Sequence, residues 1–353
     1  MAFEMDAETL HSLCAPLARY AREKIAPLCQ RHETSLTTAA QAQIWQDLDT
    51  MGLLPAATEG YALWEHHTAD SRLFSLLCLQ EIARADAGLA LCLHHHCLSQ
   101  GMRNTYGWPL ASYSSLDLAG RYGLLGLFDA PAVARDNYSR HAAPLLRQQH
   151  SLFAAGTCMA LLWQDGPLLA DLQNCTSQPL RNHGFEQRLL HSWYGGDILH
   201  QQSLDEAGLH YLLSCEWLGL TAIARGVLQR SVSLAQDYAN LRRQGGQYIG
   251  QYAAVQQMLA RCAQTLQYSQ LQLQHIARGA DFAAACDLYS HTLPNLRQAA
   301  QQCVQIFGGM GYMQDTGVEK ALREINHLGH ISGNPVHCQL LRASHINLDE
   351  EVL

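Results

Sequence analysis

The sequence predicts a mostly α-helical protein with a small β domain in its middle. Apolar residues follow helical spacing in the first and last thirds of the chain, whereas short apolar runs between turn residues fill the middle. The chain has 353 residues, of which 48% are apolar and 15% charged, so it is long enough for two or three domains. We predict domains at residues 1–118 (helical), 119–206 (β) and 207–353 (helical).

Residues up to about 115 show the period of amphipathic helices. Leu10, Leu13 and Leu17 form one apolar stripe, and Ile44 and Leu48 belong to another. Later in this region, the segment Glu81–Ala90 is composed of small, helix-favouring residues that suit close helix packing.

Three adjacent histidines, His94, His95 and His96, follow on the same predicted helix. Neighbours on a helix lie about 100° apart, so three in a row cannot share one face. Metal sites with two histidines on a helix use i, i+3 or i+4 spacing, which this run lacks. We therefore interpret the histidines as cleft or surface residues and predict no metal site.

Between Tyr122 and about residue 205, short apolar runs are bounded by Gly, Pro, Asp and Asn, as in Met159–Trp163. This pattern is typical of strands. About 85 residues are sufficient for one sandwich or barrel.

Helices resume near residue 207, and Glu216 is in phase there with Leu220, Ile223 and Val227. It therefore points along the apolar face, and no basic residue lies within four positions of it. A carboxylate in such a place has a raised pKa unless a distant cation pairs with it, and could act as a base. The alternative is a structural carboxylate that pairs with an arginine of another helix.

Two later segments end in glycines. Arg242 and Arg243 precede Gly245 and Gly246, where they could hold a phosphate or serve as solvated helix-end cations. The segment Gln305–Tyr312 carries Gly308, Gly309 and Gly311, whose backbone could approach a ligand that the side chain of Gln305 could also reach. The alternative is a glycine-terminated helix followed by a turn.

Several classes of protein are excluded by composition. The net charge of −8 and the lack of a basic run with interleaved aromatics argue against nucleic acid as a partner. The acidic N-terminus has no signal-peptide layout, and no apolar run approaches the roughly 18–20 residues of a membrane helix. Twelve scattered cysteines without a Cys-x-x-Cys pair predict a reduced, cytoplasmic chain.

Three segments resemble the acyl-CoA dehydrogenase family of flavoproteins. Glu81–Ala90 resembles the family's EELARADASLA helix, Tyr238–Gln256 resembles YAKERxQFGKPIxxFQAVQ, and Gln305–Arg323 resembles QIxGGxGYxxxxxVERxxRD. The resemblance implies the family's fold, with an N-terminal helical domain, a small middle β domain and a C-terminal four-helix bundle.

The resemblance also implies an FAD cofactor. At the matching positions, the residues that would bind its pyrophosphate and adenine half are Arg242, Gln244, Gly246, Gln305, Gly308, Gly309 and Gly311. In the family this part of the FAD is held mainly by the neighbouring subunit, so the resemblance implies a homo-oligomer or a hetero-oligomer with a related chain.

Departures from the family's pattern fall on the flavin side. Asp129 replaces a threonine expected beside the flavin ring, and Arg135 replaces a serine expected beside the substrate. Ala160 stands at a tryptophan position and Leu162 at a threonine position. We expect this chain to hold its own flavin less firmly than it contributes to a neighbour's. The small side chains of Ala132, Ala134 and Ala160 would leave room for a bulky acyl group.

The family's catalytic glutamate is also displaced. Most relatives carry it in a YEGT turn, where this sequence has Ile331-Ser332-Gly333-Asn334, and serine is a weak base. A minority carry it on the long helix in an LxxERL pattern, which places Glu216 at the base position and Trp217 at the arginine position.

Two functions follow from the resemblance. The first is an FAD-dependent α,β-dehydrogenase of an acyl thioester, on CoA or a carrier protein, with Glu216 as base and an electron-transfer flavoprotein or similar acceptor. The second is a non-catalytic subunit that completes the FAD site of an intact partner. Another flavin reaction on the same fold, such as oxygenation or desulfination, is a weaker third possibility.

Overall fold

The computed structural model describes residues 7–29, 36–55, 62–118, 149–151, 157–163, 167–174, 176–180, 185, 189–194, 197–279 and 281–344. Its elements follow the predicted order of helices, strands and helices. None of the helices within these ranges combines the length and apolarity that crossing a membrane requires.

The N-terminal helices described are α1 (Ala7–Tyr20), α2 (Ala26–Cys29), α3 (Thr38–Thr50), α4 (Ala69–Ala85) and α5 (Ala87–Tyr106). A π-helical turn, Ala21–Ile25, joins the first two. Asp86 separates α4 from α5 and caps the latter, because its carboxylate accepts a hydrogen bond of 2.7 Å from the amide of Leu89.

The prediction for α1 was wrong at one residue. Leu10 and Leu17 are buried, but Leu13 is 42% exposed. The buried stripe passes instead through Cys14, at i+4 from Leu10, so it is narrower than the sequence suggested.

The middle of the chain forms two sheets. The first has the order β1 (Ser114–Asp117), β3 (Thr157–Trp163), β4 (Pro167–Gln173), β7 (Asp197–Ser203), and the second has the order β2 (Gln149–Ser151), β6 (Leu189–Tyr194), β5 (Thr176–Leu180). Strands β3 and β4 pair antiparallel from Thr157 opposite Gln173 to Trp163 opposite Pro167. Strand β1, which follows α5, adds to this sheet parallel to β3.

The C-terminal helices are α6 (Glu206–Leu241), α7 (Ala253–Gly279), α8 (Phe282–Phe307), α9 (Val318–Leu328) and α10 (Pro335–Ser344). A small hairpin of β8 (Arg243–Gln244) and β9 (Gln247–Tyr248) follows α6. Helix α6 packs against α4, α5, α7, α8 and α9, so it is the central helix of the molecule.

A buried group of four charges fixes α6 against its neighbours. Arg230 on α6 pairs with Glu324 on α9, whereas Lys320 lies 3.7 Å from Glu324 and 3.8 Å from Asp86 at the start of α5. Two cations and two anions balance one another, which is the condition for burying such groups. The group therefore holds α5 and α6 in a fixed relation, and these two helices carry the candidate site.

Candidate active site

Glu216 lies inside the protein near the first turns of α6, with none of its surface exposed to solvent. Both of its carboxylate oxygens have hydrogen-bond partners, which come from α5 and from the turn after α9. Glu216 therefore points inward, as its phase with the apolar residues of α6 predicted. The alternative of an arginine partner was wrong, because the partners across the helix interface are histidines.

Helix α5 contributes His94 and His95. His94 Nε2 lies 2.9 Å from Oε2 of Glu216, and His95 Nε2 lies 3.0 Å from Oε1. The interpretation of these histidines as cleft or surface residues was wrong, since both are buried. Their side chains leave the helix in different directions, but two long side chains on either side of one carboxylate still converge on it.

His96 points elsewhere in the molecule. Its Nδ1 accepts a hydrogen bond of 3.2 Å from the amide of Ser114 at the start of β1, and its ring packs edge-on against Trp45. This third histidine is also buried, and it helps to join α5 to the first sheet.

The turn after α9 contributes Ser332. Its hydroxyl donates to Oε1 of Glu216 at 2.5 Å, and its carbonyl accepts from the indole of Trp217 at 3.1 Å. The hydroxyl of Tyr289 on α8 donates to the carbonyls of Leu328 and Gly333, which fixes both ends of this turn. The two chain positions at which the resemblance expects a catalytic glutamate thus touch each other.

Sequence reasoning missed two residues that shape this site. A Cβ atom at Gly219 would lie 2.3 Å from Cε1 of His94, so glycine at this position makes room for the ring. Trp64 contacts the same ring, with ring centroids 5.3 Å apart, and has a positive φ of 61°. A glycine inside an apolar helix, three residues after Glu216, was the available signal, because such a glycine usually has a packing reason.

The electrostatics of the site favour an ionised Glu216. Burial raises the pKa of its carboxyl, but His95 and His94 lower it, and the balance leaves the pKa below its ordinary value. Burial lowers the pKa of His94 by more than the neighbouring carboxylate raises it. We therefore describe the pair as a carboxylate that accepts a hydrogen bond from a neutral imidazole.

The nitrogens of His94 and His95 and an oxygen of Glu216 all lie within 4.8 Å of one another, a separation that a metal ion could bridge. Hydrogen bonds of 2.9 and 3.0 Å account for the same arrangement without an ion.

The residues expected at the cofactor occupy two other places. Arg242, Gln244 and Gly246 are exposed on the hairpin after α6. Arg242 is the C-cap residue that follows α6. The guanidinium carbon of its neighbour Arg243 lies over the ring of Tyr248, 4.6 Å from the ring centroid.

The glycine turn follows α8, which ends at Phe307. Gly308 has a φ of 60°, and a Cβ atom at Gly308 or Gly309 would meet nothing within 4 Å, so their backbone is open to a ligand. Gly311 differs, because a Cβ there would lie 2.3 Å from the carbonyl oxygen of Val304. Packing against its own helix end therefore explains Gly311, whereas Gln305 is exposed like Gly309.

An aromatic stack brings the two groups of cofactor candidates into one region. Tyr238, one turn before the end of α6, stacks on Phe307 with ring centroids 4.2 Å apart. Glu216 is remote from this region. It precedes Arg242 by 26 residues of one helix, which corresponds to about 39 Å at about 1.5 Å per residue.

The flavin-side predictions fall largely outside the described residues, which is where Asp129, Ala132, Ala134 and Arg135 lie. The side chain of Leu162 is likewise not described. Ala160 is buried in β3 and offers no polar group.

Comparison with known proteins finds a sequence similarity in the C-terminal part of the chain. Residues 210–335 match the family model of the acyl-CoA dehydrogenase C-terminal domain. The chain is 32% identical over 116 residues to the very long-chain specific acyl-CoA dehydrogenase of Mus musculus. That match covers 30% of this chain and 17% of the mouse protein, so it spans only part of either.

The fold similarity extends over the whole chain. Butyryl-CoA dehydrogenase from Megasphaera elsdenii superposes with a TM-score of 0.74 at 15% identity, covering 98% of this chain and 99% of that one. A glutaryl-CoA dehydrogenase from Mycobacterium smegmatis, solved in complex with FADH2, gives a TM-score of 0.74 at 13% identity, covering 99% of this chain and 97% of the other. The chain therefore has the fold of the acyl-CoA dehydrogenases, its residues 210–335 match that family's C-terminal domain, and the predicted fold class is confirmed.

Proposed function

We propose that the protein is a flavin-dependent oxidoreductase that introduces an α,β double bond into an acyl thioester, with Glu216 as the general base. One observation carries the proposal: Glu216 and Ser332, the two positions where a family base is expected, meet at 2.5 Å in a buried polar cluster. The structural and sequence similarities support this general class of reaction.

The reaction separates a proton from a hydride. A bound FAD would supply the acceptor for the hydride that leaves the β-carbon. The protein must take the α-proton, and an ionised carboxylate held between donors is suited to that role. Because Glu216 has no exposed surface, an α-carbon can reach it only if one partner moves. Ser332 is the partner that can yield most easily, since its hydroxyl is held at a turn and can rotate.

The residues present fit the phosphate-bearing half of an FAD. An exposed arginine, exposed amide side chains and an open glycine edge suit a diphosphate. Arg242, Gln244, Gly246, Gln305, Gly308 and Gly309 would bind it, with Gly311 shaping the turn. The length of α6 between Glu216 and Arg242 exceeds that of an extended dinucleotide, which supports a cofactor shared between subunits.

We further propose an oligomer in which each such cofactor half is held by the neighbouring chain. Exposed apolar side chains flank these residues: Leu241 (79% exposed), Met310 (53%), Tyr312 (74%) and Met313 (52%). Large apolar side chains in such a group commonly mark an interface. Electrons would pass from the flavin to an electron-transfer flavoprotein or similar acceptor, and a cytoplasmic location stays a prediction.

A second function is favoured by a different observation. Glu216 is fully buried, and both of its oxygens are already engaged. A non-catalytic subunit that completes the FAD site of an intact partner would have no need to open this cluster, whereas a catalytic subunit must do so.

The experiment is anaerobic flavin spectroscopy on the purified protein. If the chain is catalytic, it carries flavin absorbance that bleaches with acyl-CoA, and Glu216→Gln slows bleaching roughly a hundredfold or more because no base remains. Glu206→Gln, an exposed glutamate in the first turn of the same helix, should bleach like the wild type.

The other outcomes separate the alternatives. Bleaching at the wild-type rate in Glu216→Gln would show that another group is the base. Absence of flavin from the isolated protein, with flavin gained when a related subunit is co-expressed, would establish the half-site function instead.

A further inference from the structure

Glu216 is buried without a lysine or arginine partner in the described part of the chain. Among the described residues, its hydrogen bonds and ion-pair contacts are to His94, His95 and Ser332, with no lysine or arginine among them. A carboxylate moved from water into such a place would be neutral at pH 7 unless donors stabilise its charge. A neutral carboxylic acid cannot accept the α-proton.

Three donors, two imidazole N–H groups and one hydroxyl, offset the free-energy cost of burying the charge of Glu216. His94 donates a hydrogen bond to Oε2 of Glu216, and His95 and Ser332 donate to Oε1. Hydrogen bonds to a charged acceptor are shorter and roughly twice as strong as those between neutral groups. Together these donors replace the water that Glu216 loses.

The two imidazoles can each donate a hydrogen bond to Glu216 as neutral rings. Nδ1 of His94 and Nδ1 of His95 have no hydrogen-bond partner within the described part of the chain. A second proton on either ring would therefore be a buried donor without an acceptor, which is unfavourable. A neutral ring with its proton on Nε2 donates to Glu216 and leaves Nδ1 as a lone pair.

Within the described ranges, two more titratable groups next to the cluster, Tyr289 and Cys215, are uncharged. Tyr289 approaches from α8, and Cys215 neighbours Glu216 on α6 itself. Burial is the largest cause and raises the pKa of both groups. The Glu216 carboxylate raises both further, whereas Tyr211 and the charge of Arg72 lower the pKa of Cys215 without reversing the shift. The cluster thus contains one negative charge, on Glu216.

We infer that His94 and His95 are positioning residues, which keep Glu216 ionised and hold it in place through their Nε2–H groups. The catalytic value of this role rests on the proposed function, but the ionisation of Glu216 does not. The histidine run, which the sequence left without a function, would then be part of the machinery that prepares the base.

A matched pair of variants tests this. The side chain of His95→Gln has similar reach and keeps an N–H donor, whereas His95→Met has similar size and no donor. Loss of one charged hydrogen bond should raise the pKa of Glu216 by about one to two units. Infrared spectroscopy of the carboxyl C=O band across pH, with Glu216→Gln as the reference that lacks the band, measures this shift without any flavin chemistry.

We expect the C=O band to appear at a higher pH in His95→Met than in the wild type, and the change to be much smaller in His95→Gln. The pH profile of bleaching should shift in the same direction. Appearance of the band at the same pH in both variants and in the wild type would overturn the inference. If His95→Met fails to fold, the pair His94→Gln and His94→Met provides the same comparison.

Two further results separate this inference from its rivals. An infrared shift in a protein that does not bleach would support the histidine role while refuting the proposed function. One equivalent of a transition metal in the purified wild type, lost in His95→Met, would instead make the cluster a metal site and overturn the inference.

Discussion

Gly219 shows how one residue on α6 depends on another on α5. The ring of His94 occupies the space that a side chain at position 219 would need. Glycine inside a helix costs about 1 kcal/mol relative to alanine, so its presence here reflects packing rather than helix formation. The hydrogen bond between His94 and Glu216 requires this close approach of the two helices.

Gly219→Ala is therefore expected to destabilise the protein, by about 1–3 kcal/mol, because the new methyl group would displace the ring. Urea denaturation gives the change in free energy of unfolding. Gly279→Ala is the control, since a Cβ at that helix end meets nothing within 4 Å. Equal stability of Gly219→Ala and wild type would mean that the ring moves away freely.

At this scale the sequence predicted the direction of Glu216 but not its environment. The phase of one helix tells which side chains point inward. It does not tell which residues 121 and 122 positions away will meet them, because that depends on how α5 crosses α6. The spacing rule for histidines failed for a related reason: it describes two ligands on one face, not two side chains that close around a group from another helix.

Among the elements, α5 is joined to the first sheet by a buried ion pair. Arg103 near the end of α5 donates to Asp171 on β4 at 3.1 and 2.5 Å, and to the hydroxyl of Ser114 on β1 at 2.9 Å. The amide of Ser114 in turn donates to His96. The helix that supplies His94 and His95 is thereby fixed to the strands as well as to α6.

Asp171→Asn is expected to lower the free energy of unfolding by about 3–5 kcal/mol, because it leaves the Arg103 charge buried without its counter-ion. The double variant Arg103→Met/Asp171→Leu removes both charges and should recover most of that loss. Denaturation of the three proteins provides the comparison. A double variant no more stable than Asp171→Asn would show that the ion pair itself, and not the unpaired charge, determines the stability.

The order of elements could be predicted, because helical and strand periodicities differ clearly in this sequence. The sheet connections could not. Strand β1 pairs in parallel with β3, and nothing in a run such as Ser114–Asp117 specifies its partner. Partner choice in a sheet depends on contacts that are distant in sequence.

For the molecule as a whole, buried histidines set the response to acid. Burial lowers the pKa of His96 to about 3 and that of His327 to about 4, and it lowers the pKa of His94 as well. The ordinary value is 6.5, so below it the unfolded chain binds protons at these sites that the folded chain does not. Stability therefore falls as the pH drops below about 6.5 toward the folded pKa values.

For His96 and His327 together, the free energy of unfolding should fall by about 3 kcal/mol per pH unit near pH 5. Urea denaturation between about pH 7 and about pH 5 measures the slope. His327→Gln should reduce this slope by about half, since one of the two protons is no longer involved. A stability that does not change over this range would contradict neutral buried rings.

The contact between Glu216 and Ser332 also has an evolutionary consequence. These residues lie 116 positions apart in the chain, yet their side chains meet at 2.5 Å. Under the proposed function, a lineage could therefore transfer the role of the base from helix to turn by exchanging two residues that already touch. Homology searches that require an acidic residue at the turn would discard such a descendant.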